Sequence, residues 1–326
     1  MGCTKKANVV VTEPVFEGTG TWTRAGASAN ADAQRYFDQG MRMLFGFNHD
    51  EAIRSFKQAI AFDASCAWCA IGVSLANGPH INNPDLDDAH LHAARAALAH
   101  VKPGEAMQTA LVQALTSRYA GADRAKANAD YANAMVALWK NSGDVDVGAL
   151  AAEALFDLRP WDQFTSDGQM QPRTDEIVEV LGQVLAKAPE HPLANHLTVH
   201  LWEQSPTPER ADDAARKLRT MAPALAHLVH MPTHIDVRRG RWADAIASSE
   251  AALAADAKYV ADAKRRGVKI GFYMFYVAHN EHMLAYASMM SGRKSTALAA
   301  IERMVEDIPS DWLKENSSVA DGIVAL

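Results

Sequence analysis

From Ala33 onward, apolar residues recur at intervals of three and four, which is the period of an amphipathic α-helix. The apolar segments run for roughly 12–18 residues, and Gly, Pro or Asn interrupts them. We count about fourteen such segments, and many of them carry Ala at fixed offsets, as expected where helices pack closely. The pattern predicts an all-α fold for residues 31–326.

The first two segments carry small and aromatic residues at the spacing of a known repeat. The residues concerned are Tyr36, Gly40, Ala52, Phe56, Ala59 and Asp63. This spacing resembles the tetratricopeptide repeat (TPR), a helix–turn–helix unit of about 34 residues. The resemblance implies a right-handed TPR-like α-solenoid of about seven helical pairs, in which each pair buries its apolar stripe against the next.

Residues 1–30 show no helical period and are rich in Gly, Thr, Ala and Ser, so we expect a disordered tether there. Within this segment, Gly-Cys followed by polar residues resembles the start of a mature bacterial lipoprotein. That resemblance implies lipid attachment at Cys3 and a periplasmic location. An ordinary cytoplasmic N-terminus is the alternative.

Composition narrows the range of partners. The chain has 326 residues, with 32 basic and 39 acidic side chains and a net charge of −7. An acidic balance argues against nucleic acid, which needs a concentrated basic face. The sequence has no run of apolar residues long enough to span a bilayer, so we expect membrane contact only through a lipid anchor.

Seven of the thirteen histidines cluster late in the chain. Spacings of three and four place several of them on one helix face. In the TPR frame they fall at the second, fifth and ninth places of successive first helices, and the resemblance implies that these places line a concave groove. The seven are His196, His200, His227, His230, His234, His279 and His282.

Imidazole is the commonest metal ligand and suits copper and zinc better than calcium or magnesium. Seven rings exceed the needs of one tetrahedral ion, so a site for two ions is feasible. The sequence therefore predicts a metal site, with copper as the first choice and zinc as the second. The alternative is a set of groove histidines that bind a peptide, as in a TPR interaction module, or a small molecule.

Five residues near these histidines are candidates to support them. Glu203 occupies a groove place in the TPR frame. Asn195 and Asn280 stand beside His196 and His279 and either orient imidazoles or cap helices. Tyr276 and Tyr286 lie at helical spacing from His279 and His282, and either reach the pocket or belong to the core.

Pro232 lies between His230 and His234. It either kinks one helix or begins a new one.

Cys66 and Cys69 form a Cys-x-x-Cys pair, and the TPR frame places both in the groove. Three interpretations remain open: ligands that join a metal site, a redox disulfide, or two free thiols.

As a whole, the chain resembles bacterial TPR-like proteins that share Cys-x-x-Cys, His-Met-Pro-x-His and His-Asn-x-His motifs. The sequence shows no hydrolase triad and no phosphate-binding loop. If the protein is an enzyme, we expect a copper-dependent oxidoreductase.

Overall fold

The computed structural model describes residues 10–99 and 101–308, and these fold almost entirely into helices. They form fifteen α-helices and one short 3-10 helix. Within these ranges there is no strand, only two isolated bridges that join His80 to Asn83 and Phe164 to Met170. The predicted all-α class of α-solenoid type is confirmed. None of the described helices is both long enough and apolar enough to cross a bilayer.

The chain divides into two compact units, and the first contains most residues up to Ala194. Successive helices in it pack against one another in chain order. They are α1 (Ala31–Phe45), α2 (His49–Phe62), α3 (Ala67–Ala76), α4 (Asp88–Ala99), α5 (Ala106–Arg118), α6 (Arg124–Ser142), α7 (Val145–Phe156) and α8 (Thr174–Lys187).

Two glycines let the first helices of this unit close on one phenyl ring. A Cβ atom at Gly40 would lie 2.5 Å from Cε1 of Phe56, and one at Gly72 would lie 2.6 Å from the same atom. Phe56 itself is fully buried. Helices α1 and α3 can therefore pack this closely on α2 only because neither position carries a side chain.

The second unit contains Gly18–Thr21 and the chain from Asn195 onward. Its core includes Ala245 and Ile246, which pack against Leu284 and Ala285. Its helices are α9 (Pro192–Glu203, whose first turn precedes the unit), a 3-10 turn (Pro208–Ala211), α10 (Asp212–Met221), α11 (Ala226–His230), α12 (Pro232–Arg238), α13 (Trp242–Arg266), α14 (Tyr273–Met290) and α15 (Lys294–Asp307).

The expected disordered tether at residues 1–30 needs correction where the structure describes it. Residues 10–30 form no helix, in line with their composition, but several of them on either side of Gly18–Thr21 are bonded to helices of the first unit. The backbone N–H of Thr12 donates to Oε1 of Gln58 at 2.9 Å. The Arg24 guanidinium pairs with Asp144 at 2.8 Å and with Asp146 at 2.7 Å. Polar side chains of the helices thus hold a segment that lacks its own helical period. Cys3 lies outside the described residues.

A buried polar cluster joins α5 to α7 in the first unit. The Arg118 guanidinium donates to Oδ2 of Asp157 at 2.6 Å and to the backbone carbonyl of Pro79 at 2.8 Å. Glu153 and Asp157 lie one turn apart on this side of α7, and both are buried. Burial raises the pKa of each carboxyl group, and mutual repulsion raises that of Glu153 further. One guanidinium faces two carboxyl groups, so the fold favours keeping one proton on the pair.

We expect the contribution of Glu153 and Asp157 to the free energy of unfolding to fall as the pH rises from about 5 to about 8. The folded pKa of Glu153 lies above its unfolded value, so the stabilising proton is lost as the pH passes through the folded value. The Glu153→Gln substitution keeps the shape of the side chain but removes its negative charge. It should stabilise the protein at pH 8 by on the order of 1–3 kcal/mol and flatten this dependence. Urea unfolding at several pH values measures both effects. The exposed Glu179→Gln serves as the control, and an equally flat profile for the control would contradict the assignment.

Candidate metal centre

Four helices of the second unit bring the histidines together. Helix α9 carries His196 and His200 one turn apart, with Glu203 a further turn along. Helices α11 and α12 carry His227, His230 and His234, and α14 carries His279 and His282. Spacings of three and four residues along each helix place these side chains on a common face.

Six of the seven predicted histidines form two groups of three. In each group the three ligand nitrogens lie within 4.8 Å of one another. The first group is His196, His200 and His227, and the second is His230, His234 and His279.

In the first group, Nε2 of His196 lies 3.1 Å from Nε2 of His200. The His227 ring reaches this pair from α11, with its centroid 4.8 Å from that of His196. All three side chains are buried.

In the second group, Nε2 of His230 lies 2.7 Å from Nε2 of His234. Nε2 of His279 on α14 lies 3.4 Å from the same atom of His234. The two groups are neighbours, because the rings of His227 and His230 lie only 5.7 Å apart between centroids.

One carboxylate serves both groups. Oε1 of Glu203 lies 2.8 Å from Nδ1 of His200, and Oε2 lies 2.6 Å from Nδ1 of His234. Burial would raise the pKa of Glu203, but its interactions with His234 and His200 outweigh burial and bring the pKa well below its usual range. Glu203 is therefore ionised and can only accept hydrogen bonds.

This carboxylate assigns the tautomers of two imidazoles. Since Glu203 only accepts, His200 and His234 must each donate from Nδ1, and in their neutral forms each keeps a lone pair on Nε2. In the first group, the Nε2 lone pair of His200 accepts the Nε2 proton of His196. In the second group, the Nε2 lone pair of His234 accepts the Nε2 proton of His230. A cation that replaces this shared proton meets two imidazole lone pairs at once.

The nitrogens of both groups fit a metal ion. Two imidazole nitrogens on one tetrahedral ion, at ~2.0–2.1 Å from it, lie about 3.3–3.4 Å apart. The separations of 3.1 and 3.4 Å are close to that value, and the 2.7 Å pair has only to open by about half an ångström. Nδ1 of His230 is buried and has no hydrogen-bond partner among the described residues, so the contact with His234 alone keeps the proton of this ring on Nε2, and a metal ion at Nε2 can shift that proton to Nδ1.

Burial keeps the histidines ready for a metal. It lowers the pKa of His227 and His230 well below the usual value, and repulsion from neighbouring histidines lowers both further. It also lowers the pKa of His279 to about 3. Neutral imidazole is the form that binds metal, so these rings need lose no proton at neutral pH.

A new helix begins at Pro232. Helix α11 ends at His230, and Met231 keeps helical dihedral angles (φ −49°, ψ −39°) between the two helices. Proline has no N–H to donate, so the first helix stops while the backbone continues in nearly the same path. His230 and His234 therefore still face each other across the break.

Ion pairs fix α12 in place. The fully buried Asp236 accepts from Nη2 of Arg219 on α10 at 2.5 Å and from Nε of Arg241 at 2.8 Å. Arg238 donates to the backbone carbonyl of Glu203 at the end of α9. These contacts hold His234 opposite Glu203.

Some of the predicted residues lie elsewhere. His282 belongs to neither group, and its ring centroid lies 6.3 Å from that of His279. Tyr286 packs against Trp242, with 6.3 Å between ring centroids, because the turn it occupies points toward α13. Tyr276 does reach the histidines, and its ring lies 4.3 Å from that of His227.

The two asparagines are both buried. Nδ2 of Asn280 donates to Oδ2 of Asp256 at 2.7 Å, so this amide N–H bonds a carboxylate and not an imidazole. Asp256 also accepts from the Tyr273 hydroxyl at 2.7 Å. No local sequence pattern marks Asp256 as a support of α14, since an acidic residue in a helix is usually exposed. Asn195 stays a predicted support of His196.

Cys66 and Cys69 are joined by a disulfide in the first unit. In this form neither sulfur is a thiolate, so the predicted metal ligation by Cys66 and Cys69 does not hold. Of the three states proposed for the Cys-x-x-Cys pair, the structure contains the disulfide.

No known protein-family model matches this chain, and a search of curated proteins finds no significant match. The geometry therefore carries the functional argument by itself.

In the metal-free protein, the contribution of the buried histidines to the free energy of unfolding should fall as the pH drops below about 6.5. The folded pKa of His279 is about 3, so its stabilising contribution is complete above the unfolded value and is lost as the pH falls toward 3. His279→Gln should reduce this slope by at most about 1.4 kcal/mol per pH unit. Urea unfolding in EDTA between pH 7.5 and pH 5 measures the slope. The exposed His92→Gln should leave it unchanged, and an equal change in both variants would contradict the burial argument.

Proposed function

We propose that this protein binds two transition-metal ions, one in each group of three histidines. The observation that carries the proposal is the two converging sets of imidazole nitrogens, each with one ring bonded to Glu203. A histidine that binds metal through Nε2 commonly donates its Nδ1 proton to a carboxylate, which fixes the ring and makes it a better ligand. Here one carboxylate does this for a ring in each group.

Copper is the proposed metal, and zinc is the second choice. Six imidazoles without a thiolate or water-exposed carboxylate among the ligands suit copper and zinc, and copper binds such sites more tightly. Three protein ligands leave an open position on a tetrahedral ion, as in catalytic rather than structural sites.

An open copper site would support a metal-dependent oxidoreductase. Copper supplies one-electron redox chemistry when bound. The chain contributes the burial of the rings, the Nδ1 hydrogen bonds of His200 and His234, and the Tyr276 ring against His227. Glu203 holds the proton at Nδ1 of both rings and so keeps their Nε2 atoms free for the ion.

Two further assignments accompany this proposal. We propose that the helical pairs are TPR-like repeats and that the histidines line the concave side of the array. A periplasmic location with a lipid on Cys3 stays a prediction, which radiolabelled palmitate in cells carrying the wild type and Cys3→Ser would test.

The direct test is metal content. Purified protein, stripped with EDTA and dialysed against copper or zinc, should retain two ions per chain by elemental analysis. His196→Ala and His230→Ala should each retain one ion, because each variant removes a ligand from a different group. His282→Ala should retain two. Fewer than one ion in the wild type, or equal binding by all variants, would contradict the proposal, and tight peptide binding by metal-free protein would favour an interaction module.

Glu203→Gln should weaken both sites together, by about 10–100-fold in affinity for each. The amide keeps the shape of the side chain but has one acceptor oxygen where the carboxylate has two. Competition titrations with a chromogenic chelator measure the two affinities. The exposed Glu209→Gln is the control. A loss of metal affinity at only one site would show that Glu203 does not couple the two groups.

A further inference from the structure

The Cys66–Cys69 disulfide lies at the N-terminus of α3, with Cys66 as the N-cap residue. The backbone N–H of Cys69 donates to Sγ of Cys66 at 3.1 Å. A thiolate released at Cys66 would therefore receive a hydrogen bond and lie at the positive end of the helix dipole. Both interactions favour the ionised form of a cysteine.

Both cysteines are buried, but they differ in their position relative to a cavity. Cys69 is fully buried, whereas Cys66 forms part of the wall of a cavity of about 910 Å³. The cavity lies between α2, α3 and α4, and its walls are mostly apolar, with two exposed lysines at its edge. Besides Cys66, its lining includes Ile60, Val73, Ala93 and Ala97, with Lys57 and Lys102.

We propose that Cys66–Cys69 is a redox-active disulfide that exchanges with the thiol of a cysteine-bearing apolar polypeptide segment held in this cavity. Three observations converge on that occupant. Of the two cysteines only Cys66 is among the residues that line the cavity, the walls suit apolar side chains, and the two lysines at the edge give it a positive charge that favours the thiolate form of an arriving cysteine. This activity is separate from metal binding and resides in the other unit.

The proposed thiol–disulfide exchange has two steps. A substrate thiolate attacks Sγ of Cys66, the Cys66–Cys69 bond breaks, and its electron pair stays on Cys69, which takes up a proton. A second substrate thiolate then attacks the substrate sulfur of the mixed disulfide and releases Cys66, which is protonated in turn. Two substrate thiols are oxidised to one disulfide, and the protein disulfide is reduced by two electrons.

The first test maps the mixed disulfide in the folded protein. Cys3→Ser protein would be mixed with a short leucine-rich peptide that carries one cysteine, quenched with acid, alkylated and analysed by mass spectrometry. The peptide is expected on Cys66 and the alkyl group on Cys69. Peptide on Cys69, or no adduct before the protein unfolds, would overturn the proposal.

The second test compares single thiols in the same Cys3→Ser background. With the peptide supplied as an activated disulfide, Cys69→Ser should react at least about tenfold faster than Cys66→Ser, because the thiol left in Cys69→Ser is that of Cys66, which lines the cavity and is the N-cap residue of α3. Circular dichroism would verify that both variants are folded, and equal rates would count against the proposal.

Ala97→Trp, which fills the cavity, should slow the reaction of the Cys69→Ser protein. Ala99→Trp, on the same helix but outside the lining, should not. A glycine- and serine-rich peptide with one cysteine should react more slowly than the leucine-rich one. Equal rates for the two tryptophan variants, or for the two peptides, would show that the cavity does not bind the substrate.

Discussion

The candidate metal centre depends on the two hydrogen bonds that Glu203 accepts from His200 and His234. Burying neutral imidazoles next to one another is unfavourable unless each ring nitrogen has a defined role. One ionised carboxylate assigns the Nδ1 protons of two rings, and the protons and lone pairs of the facing Nε2 atoms follow from that assignment. Without Glu203, neither group would present a preferred set of lone pairs.

The backbone around the centre keeps this carboxylate opposite both rings. Glu203 lies at the end of α9, where Arg238 of α12 binds its carbonyl oxygen. Asp236 ties α12 in turn to Arg219 and Arg241. On α14, the hydrogen bonds that Asp256 accepts from Tyr273 and Asn280 hold the helix that supplies His279. Buried ion pairs are weak evidence for stability, but here they fix the positions from which ligands project.

Each unit thus has its own buried polar chemistry. The first unit contains the Arg118 cluster and the disulfide at the start of α3, and the second contains the histidines. In both cases burial is what changes the behaviour of the groups. It raises the pKa of the carboxyl groups of Glu153 and Asp157 and lowers that of the imidazoles of His227 and His230.

The all-α fold could be predicted from the sequence, because helical periodicity and small residues at fixed spacing, such as Gly40 and Gly72, are local signals. Glu203 and the six histidines that the structure brings together could also be predicted, since spacings of three and four define a face on any helix. The packing of the helices sets how those histidines divide into two groups, why His282 and Tyr286 lie outside both, and why residues within 10–30 are bonded to helices. These outcomes depend on the angles between helices and on partners far along the chain, such as Gln58 for Thr12 and Trp242 for Tyr286, which no local pattern encodes.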